Sequence, residues 1–327
     1  MTTFWARSVV RLAELGAYLA AWGLDGAPCT LVAQRENHVC RVETPDGARA
    51  LRLHRPGLRS LAELRSELDW MAALARSGIA VPVPQPTRDG ALCVTRDGAV
   101  ADLLSWIDGT PMGVDGRLAA LDDAPAAYRA LGAEMARLHD VCDAWTPPAD
   151  FTRPAWNADG LVGPTPLWGR FWENPLLSPR GRDLLTAARD MARDRLAARA
   201  GAMDYGLIHA DLVPENVILT ARGPVMIDFD DGGWGARAFD LATAANRALR
   251  EDHSTALIEA LIDGYTARRP LDRADLALFQ ALRAFSYVGW IVPRLGEPGA
   301  QARAERFIAL AERLARDLLD EQGDSYG

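Results

Sequence analysis

His209, Asp211, Asn216, Asp228 and Asp230 are the residues whose types and spacing could carry out chemistry in this chain. All lie in residues 205–241, YGLIHADLVPENVILTARGPVMIDFDDGGWGARAFDL. An apolar run leads into His209 and Asp211, a loop with Pro214 leads to Asn216, and two short runs rich in Val and Ile follow at 216–219 and 225–229. Gly223 and Pro224 between the runs supply turn chemistry, so a β-hairpin is expected. If it closes with Leu219 opposite Val225, Asn216 stands opposite Asp228 on one face, with Cβ atoms roughly 5 Å apart. A carboxylate and an amide carbonyl at that spacing suit a hard cation such as Mg²⁺, which takes few protein ligands and fills its shell with water and substrate phosphates. Asp230 shares the parity of Asp228 and offers a second carboxylate. Asp211 then stands beside the metal as a base facing a hydroxyl nucleophile. The expected chemistry is phosphoryl transfer.

The rest of the chain has to position these groups. Val9, Leu12, Leu15, Leu19 and Trp22 recur at helical spacing, with Arg7, Arg11 and Glu14 opposite, giving an amphipathic opening helix. Residues 31–42 and 48–54 read as β segments separated by the turn signal Pro45-Asp46-Gly47. Ser60-x-x-Glu63 is a capping box, and Leu64, Leu68, Met71 and Ala75 continue a helix that ends before Gly78. Residues 91–94 and 102–107 read as strands. Tyr128, Leu131, Met135 and Leu138 form a helix stripe that ends at His139, and residues 180–200 read as a charged helix. After Leu241 the spacing is helical to the end, through Leu257, Leu261 and Tyr265, then Leu278, Leu282 and Phe285, then Phe307, Leu310, Leu314 and Leu318.

His209-x-Asp211 with Asn216, followed by Asp228-Phe229-Asp230, resembles the catalytic and metal loops of the aminoglycoside phosphotransferase and choline kinase family. These are small-molecule relatives of the protein kinases, whose corresponding segments are HRDxxxxN and DFG. Asp240-Leu241-Ala242 resembles the family's DLA segment. The resemblance implies an α+β, bilobal protein-kinase-like fold: a β-rich N-lobe over residues 1–104 and a mainly helical C-lobe over 105–327, with ATP and Mg²⁺ as cofactors. It implies that Asp211 is the catalytic base or hydroxyl-orienting group and that Asn216 and Asp228 take the metal, Asp228 being catalytic through it, with Asp230 joining them by its parity. His209 and Asp240 would support the catalytic loop.

The segment AQRENHVCRV has no glycine and resembles the hairpin of the branch that holds the bacterial stress-response Ser/Thr kinase and homoserine kinase type II, with Glu36 and Asn37 facing the nucleotide phosphates. Arg52 stands where the family has a Lys, and Glu67 resembles the Glu that pairs with that cation. A guanidinium can hold a phosphate bidentately yet differs in size and geometry from an ammonium. Adenine would rest on the connector at 105–109. The Trp-rich insert at 151–172 is where the family varies its acceptor pocket; Trp156, Trp172, Trp234, Tyr287 and Trp290 are the candidate pocket residues.

Three functions follow: an ATP- and Mg²⁺-dependent O-phosphotransferase acting on a small hydroxylated molecule, a Ser/Thr protein kinase of the stress-response type, or a nucleotide-binding regulatory module without catalysis. Arg52 and the missing Gly-rich loop motivate the last. A net charge of −8 argues against nucleic acid as a partner. All 36 basic Lys or Arg residues are Arg, which excludes a Walker-type loop and Schiff-base chemistry. Cys29, Cys40, Cys93 and Cys142 lack metal spacing, which leaves free thiols. The start lacks a signal-peptide apolar region and no run reads as long enough to cross a bilayer, so a cytoplasmic protein is expected.

Overall fold

The computed structural model describes residues 12–34, 37–251 and 253–323. The chain divides into two compact units, Met1–Thr110 with Trp145–Arg153 and Val225–Asp230, and Pro111–Ala144 with Pro154–Pro224 and Asp231–Gly327.

In the first unit, helix α1 (Leu12–Leu19) precedes strands β1 (Cys29–Gln34), β2 (Asn37–Val42) and β3 (Arg49–His54). Helix α2 (Leu61–Arg76) and strands β4 (Cys93–Arg96) and β5 (Ala99–Ser105) follow. The strands form one antiparallel sheet in the order β1-β2-β3-β5-β4. Residues 31–42, expected as one β segment, are parts of two antiparallel strands, β1 and β2, with Gln34 opposite His38. The polar run at 34–37 interrupts the apolar pattern there. Gly47, at φ +105, makes the expected turn between β2 and β3, a conformation that glycine alone adopts without strain. Val9, Arg7 and Arg11 of the expected opening helix lie outside the described residues.

Alternation along β3 decides what each sheet face meets. Leu51 and Leu53 join Cys40, Val42, Ala101 and Leu103 in a core closed by Leu15, Tyr18 and Leu19 of α1. Arg52 and His54 point the other way, and Arg52 meets Glu67 of α2. Helix α2 starts where the capping box predicts: Ser60 Oγ accepts from the Glu63 N–H, and the Glu63 carboxylate accepts from the Ser60 N–H.

The second unit is mainly helical. Between the two-residue strands β6 (Thr110–Pro111), β7 (Gly113–Val114) and β8 (Arg117–Leu118) and the short strand β9 (Ala155–Trp156) runs α3 (Ala124–Ala144). Helices α4 (Ala158–Val162) and α5 (Pro179–Arg199) lead to β10 (Tyr205–Ile208), β11 (Val217–Thr220), β12 (Gly223–Met226) and β13 (Gly233–Ala236). Then come α6 (Arg237–Ala248), α7 (Ser254–Thr266), α8 (Arg273–Trp290) and α9 (Ala300–Gly323). Strand β13 pairs antiparallel with β10 and parallel with β9, which carries the chain from β10 into the candidate catalytic loop.

Helices α3 and α7 cross at backbone contact. A Cβ on Gly132 would stand 2.0 Å from the Leu261 carbonyl oxygen, and one on Gly264 would stand 2.0 Å from that of Arg129. Residues Arg273–Arg294 are long and apolar enough to cross a membrane by length and composition, against the expectation that no run is; 67% of that apolar stretch is buried inside the fold.

Candidate active site

Strand β10 delivers the chain to His209, and Ala210 follows in a left-handed conformation at φ +64, which residues with a side chain rarely adopt. Asp240, in the first turn of α6, holds this kink. Its Oδ2 accepts from the His209 N–H at 2.8 Å and its Oδ1 from the Ala210 N–H at 2.6 Å. His139 of α3 contacts the same Oδ2 through Nε2 at 3.1 Å, while its Nδ1 lies 2.9 Å from the Tyr265 hydroxyl on α7. A carboxylate only accepts, so Nε2 carries the proton and Nδ1 accepts from Tyr265. Burial pushes the His139 pKa down and keeps the ring neutral. Burial alone would raise the Asp240 carboxyl, but the hydrogen bond from His139 and the loop N–H group hold it below the usual carboxylate range.

Both oxygens of Asp211 are engaged. Arg283 Nη2 of α8 donates to Oδ1 at 2.5 Å, and Asn216 Nδ2 donates to Oδ2 at 2.9 Å and to the Asp211 carbonyl at 2.9 Å. Arg283 Nη1 also donates to the Ala210 carbonyl at 3.1 Å. The Asp211 side chain keeps 24% of its surface exposed, enough to present the carboxylate edge to a ligand. Burial pushes this carboxyl up to about 7, with Arg283 pulling it down and Asp231 adding like-charge repulsion. Arg283 itself is fully buried, its guanidinium 4.3 Å from the ring centres of both Trp168 and Tyr287, a cation–π arrangement that keeps a charge tolerable away from water.

Asn216 closes the 3-10 turn Pro214–Asn216, and Asp228 lies beyond β12 at φ +65. Neither is a strand residue, so the cross-strand register expected for them does not apply. Pro214 favours the turn over a continuing strand, and the Asn216 amide turns its Nδ2 to Asp211. The reversal itself sits at Ala221 and Arg222, with Gly223 and Pro224 already in β12; Thr220 Oγ1 accepts from the Arg222 N–H and donates to the Gly223 carbonyl.

In the first unit, Arg52 Nη1 is 2.8 Å from Glu67 Oε1, the ion pair anticipated from the sequence. The register sets Arg52 opposite Asp102, and Nε and Nη2 each lie 2.9 Å from that carboxylate. His54 Nε2 joins Asp102 at 2.5 Å. Burial would raise the Asp102 carboxyl, but the Arg52 charge and then His54 override it and push it down to about 2. Asp230 lies 3.9 Å from Arg59. Asn37 is partly buried on β2 opposite His54, and Glu36 lies outside the described residues.

The candidate acceptor residues divide. Trp156 is 2% exposed, stacked on Phe239, with Nε1 donating to the Asp231 carbonyl, so it packs the interior and offers no face to a ligand. Trp172 carries the Arg189 guanidinium 3.9 Å from its ring centre, and Trp234 lies on β13 opposite Leu207. Tyr287 accepts from Arg283 at 2.9 Å and so neighbours Asp211 through it, while Trp290 packs beside Trp168.

Sequence reasoning missed Arg283, although a lone Arg in the apolar stretch of α8 is a signal for a buried, partnered charge. It also missed Asp102, which the β3–β5 register would have indicated, and the roles of His139 and Tyr265.

Oxygen donors dominate the set proposed for a metal. With its Nδ2 turned to Asp211, Asn216 directs the other atom of its amide, the carbonyl oxygen, elsewhere; this and the Asp228 carboxylate are donors of the kind Mg²⁺ takes. Among the described residues no group of three or more His, Cys, Asp or Glu converges as a metal cage.

Residues 29–279 match the Phosphotransferase enzyme family, and the chain belongs to that family. Homoserine kinase of Hyphomonas neptunium is 28% identical, over 89% of this chain and 89% of that protein. Homoserine kinase of Acidiphilium cryptum is 31% identical, over 72% of this chain and 70% of its own. The solved structure of a microcompartment-associated aminopropanol kinase superposes with a TM-score of 0.83 at 30% identity, over 95% of this chain and 98% of that one. Amicoumacin kinase hAmiN, solved with AMP-PNP, Ca²⁺ and Ami, shares the fold at a TM-score of 0.76 and 19% identity, over 94% of each chain. The fold is the α+β protein-kinase-like fold that the catalytic-loop residues suggested, and the protein is a phosphotransferase of the kinase type, for which the family implies ATP.

Proposed function

We propose that this protein transfers the γ-phosphoryl group of ATP to the hydroxyl of a small amino alcohol, with Mg²⁺ as the metal, in the cytoplasm. The observation that carries the reading is the Asp211 carboxylate, held at one oxygen by Arg283 and at the other by Asn216. Such a clamp leaves the carboxylate one orientation in which to accept the proton of an acceptor hydroxyl, and a positioned base contributes on the order of 10²–10⁴ in rate. In the reaction the hydroxyl oxygen forms a bond to the γ-phosphorus, the bond from that phosphorus to the β–γ bridging oxygen breaks, and ADP leaves. Asp211 takes the hydroxyl proton. Asn216, Asp228 and Asp230 are the side chains proposed to hold Mg²⁺, which supplies charge neutralisation along the phosphates.

The acceptor class comes from the relatives. Homoserine and aminopropanol, named for proteins near 30% identity, each join a hydroxyl to an amine on a short carbon chain. Tyr287 and Trp290 are proposed for the acceptor side. A coupled ADP-release assay with ATP, Mg²⁺ and a panel of short amino alcohols, hydroxy amino acids, aminoglycosides and a protein acceptor tests this. Turnover of a short amino alcohol or of a short hydroxy amino acid such as homoserine, both of the proposed class, at a kcat/KM at least tenfold above the aminoglycosides and the protein acceptor is expected; preference for an aminoglycoside or a protein hydroxyl would refute the acceptor class.

A further inference from the structure

Within the first unit, Glu67 is shared by two guanidinium groups. Arg52 meets one of its oxygens at 2.8 Å, and Arg153 approaches the other at 3.6 Å. Arg52 is 5% exposed, and three of its five N–H donors already go to Asp102 and Glu67. Its geometry is that of a brace between β3, β5 and α2.

Arg153 makes a different set of bonds. Nη2 donates to the carbonyls of Phe229 and Asp230 at 2.8 and 2.6 Å, and Nη1 donates to the carbonyl of Glu63 at 3.0 Å. Its side chain has no exposed surface. One planar fork therefore ties two turns of α2, at Glu63 and Glu67, to the main chain directly after Asp228. Phe229 is further fixed by Trp70 of the same helix, edge to face at 5.2 Å. Asp228 is left-handed at φ +65, a conformation that persists in a non-glycine residue only where its surroundings hold it.

We propose that Arg153 is a positioning residue that fixes the Asp228–Phe229–Asp230 loop to helix α2, so that the geometry of the metal-holding carboxylate depends on a guanidinium distant in sequence from both. This rests on the reading of Asp228 as a metal ligand. A lysine keeps the charge but, as a point donor, cannot span three carbonyls and a carboxylate at once.

The test measures Mn²⁺ binding by electron paramagnetic resonance in the presence of ATP, ATP binding in EDTA, and thermal unfolding, for wild type, Arg153→Lys and Arg153→Met. The expected result is a Mn²⁺ dissociation constant raised tenfold or more in Arg153→Lys, with metal-free ATP affinity within twofold of wild type. Arg153→Met should lose at least as much, and if it does not fold, Arg153→Lys decides alone. A folded Arg153→Lys that binds Mn²⁺ as wild type does, even with a lowered melting temperature, overturns the proposal, since Arg153 would then be structural only. A wild-type protein that binds ATP but no Mn²⁺ overturns the reading of Asp228 as a ligand, and this proposal with it.

Discussion

Arg283 and Asp211 form a direct ion pair, Nη2 to Oδ1 at 2.5 Å, in which the cation is fully buried and the carboxylate keeps a partly exposed edge. Removing the cation takes the charged donor from Asp211 Oδ1 and a donor from the Ala210 carbonyl, while Asn216 still holds Oδ2. Hydrogen bonds to charged groups are worth about 1.5–3 kcal/mol, which corresponds to roughly a 10- to 100-fold effect. Arg283→Met should therefore lower kcat by about 10- to 100-fold, with the KM for ATP little changed, and Arg283→Lys should fall between. Steady-state kinetics with the best acceptor of the panel checks this; an unchanged kcat would separate Arg283 from the reaction.

Asp240 is expected to act at one remove. It holds two consecutive loop N–H groups and the His139 ring, so Asp240→Asn loses the charge and keeps one accepting oxygen for three donors. The expected outcome is a kcat lowered by about 100-fold with ATP binding retained, measured by kinetics alongside isothermal titration with ATP. Loss of ATP binding without loss of kcat would contradict the bracing role.

The α3–α7 crossing supports that brace, since His139 and Tyr265 sit on the two helices. Gly264→Ala must push the helices apart, because its new methyl would meet the Arg129 carbonyl at 2.0 Å. Overpacking of this kind costs about 3 kcal/mol, and the melting temperature should fall by roughly 4 °C. Calorimetry checks it; an unshifted transition would mean that the helices do not cross in this way.

Asp102 should make stability depend on acid pH. Its folded-state pKa, about 2, lies below the ordinary 3.8, so its contribution is complete above about pH 4 and is lost as pH falls toward 2. The size is about 2 kcal/mol. Urea midpoints from pH 7 to pH 2 should show that fall in wild type, about half of it by pH 3, and a shallower one in Asp102→Asn, itself destabilised by about 3–5 kcal/mol because Arg52 and His54 lose their shared partner. Equal acid slopes in the two proteins would contradict the assignment.

Much of the site was legible because catalytic-loop chemistry is local. His209, Asp211 and Asn216 lie within eight residues, and the polar types at that spacing limit what a loop between two strands can do. The Arg52–Glu67 pair was legible through the family resemblance, which set Arg52 at the position of the strand cation and Glu67 at that of its helix partner. The Asn216–Asp228 register was not, because it assumed that strand pairing continues to both residues, whereas a 3-10 turn and a left-handed residue end the regular structure first. Arg283, Arg153 and Asp102 act across 72, 76 and 50 residues of chain, respectively, where spacing carries no information and tertiary packing decides. Composition marks a Trp-rich insert, but only packing reveals that Trp156 is enclosed while Trp168 flanks Arg283.

Single turnover of Asp211→Asn, with labelled ATP, Mg²⁺ and the preferred amino alcohol, tests the central claim most directly. The substitution keeps shape and removes the proton acceptor, so phosphoryl transfer should slow by about 10²–10⁴ while ATP and acceptor still bind. Transfer at the wild-type rate, with both ligands bound, would contradict it.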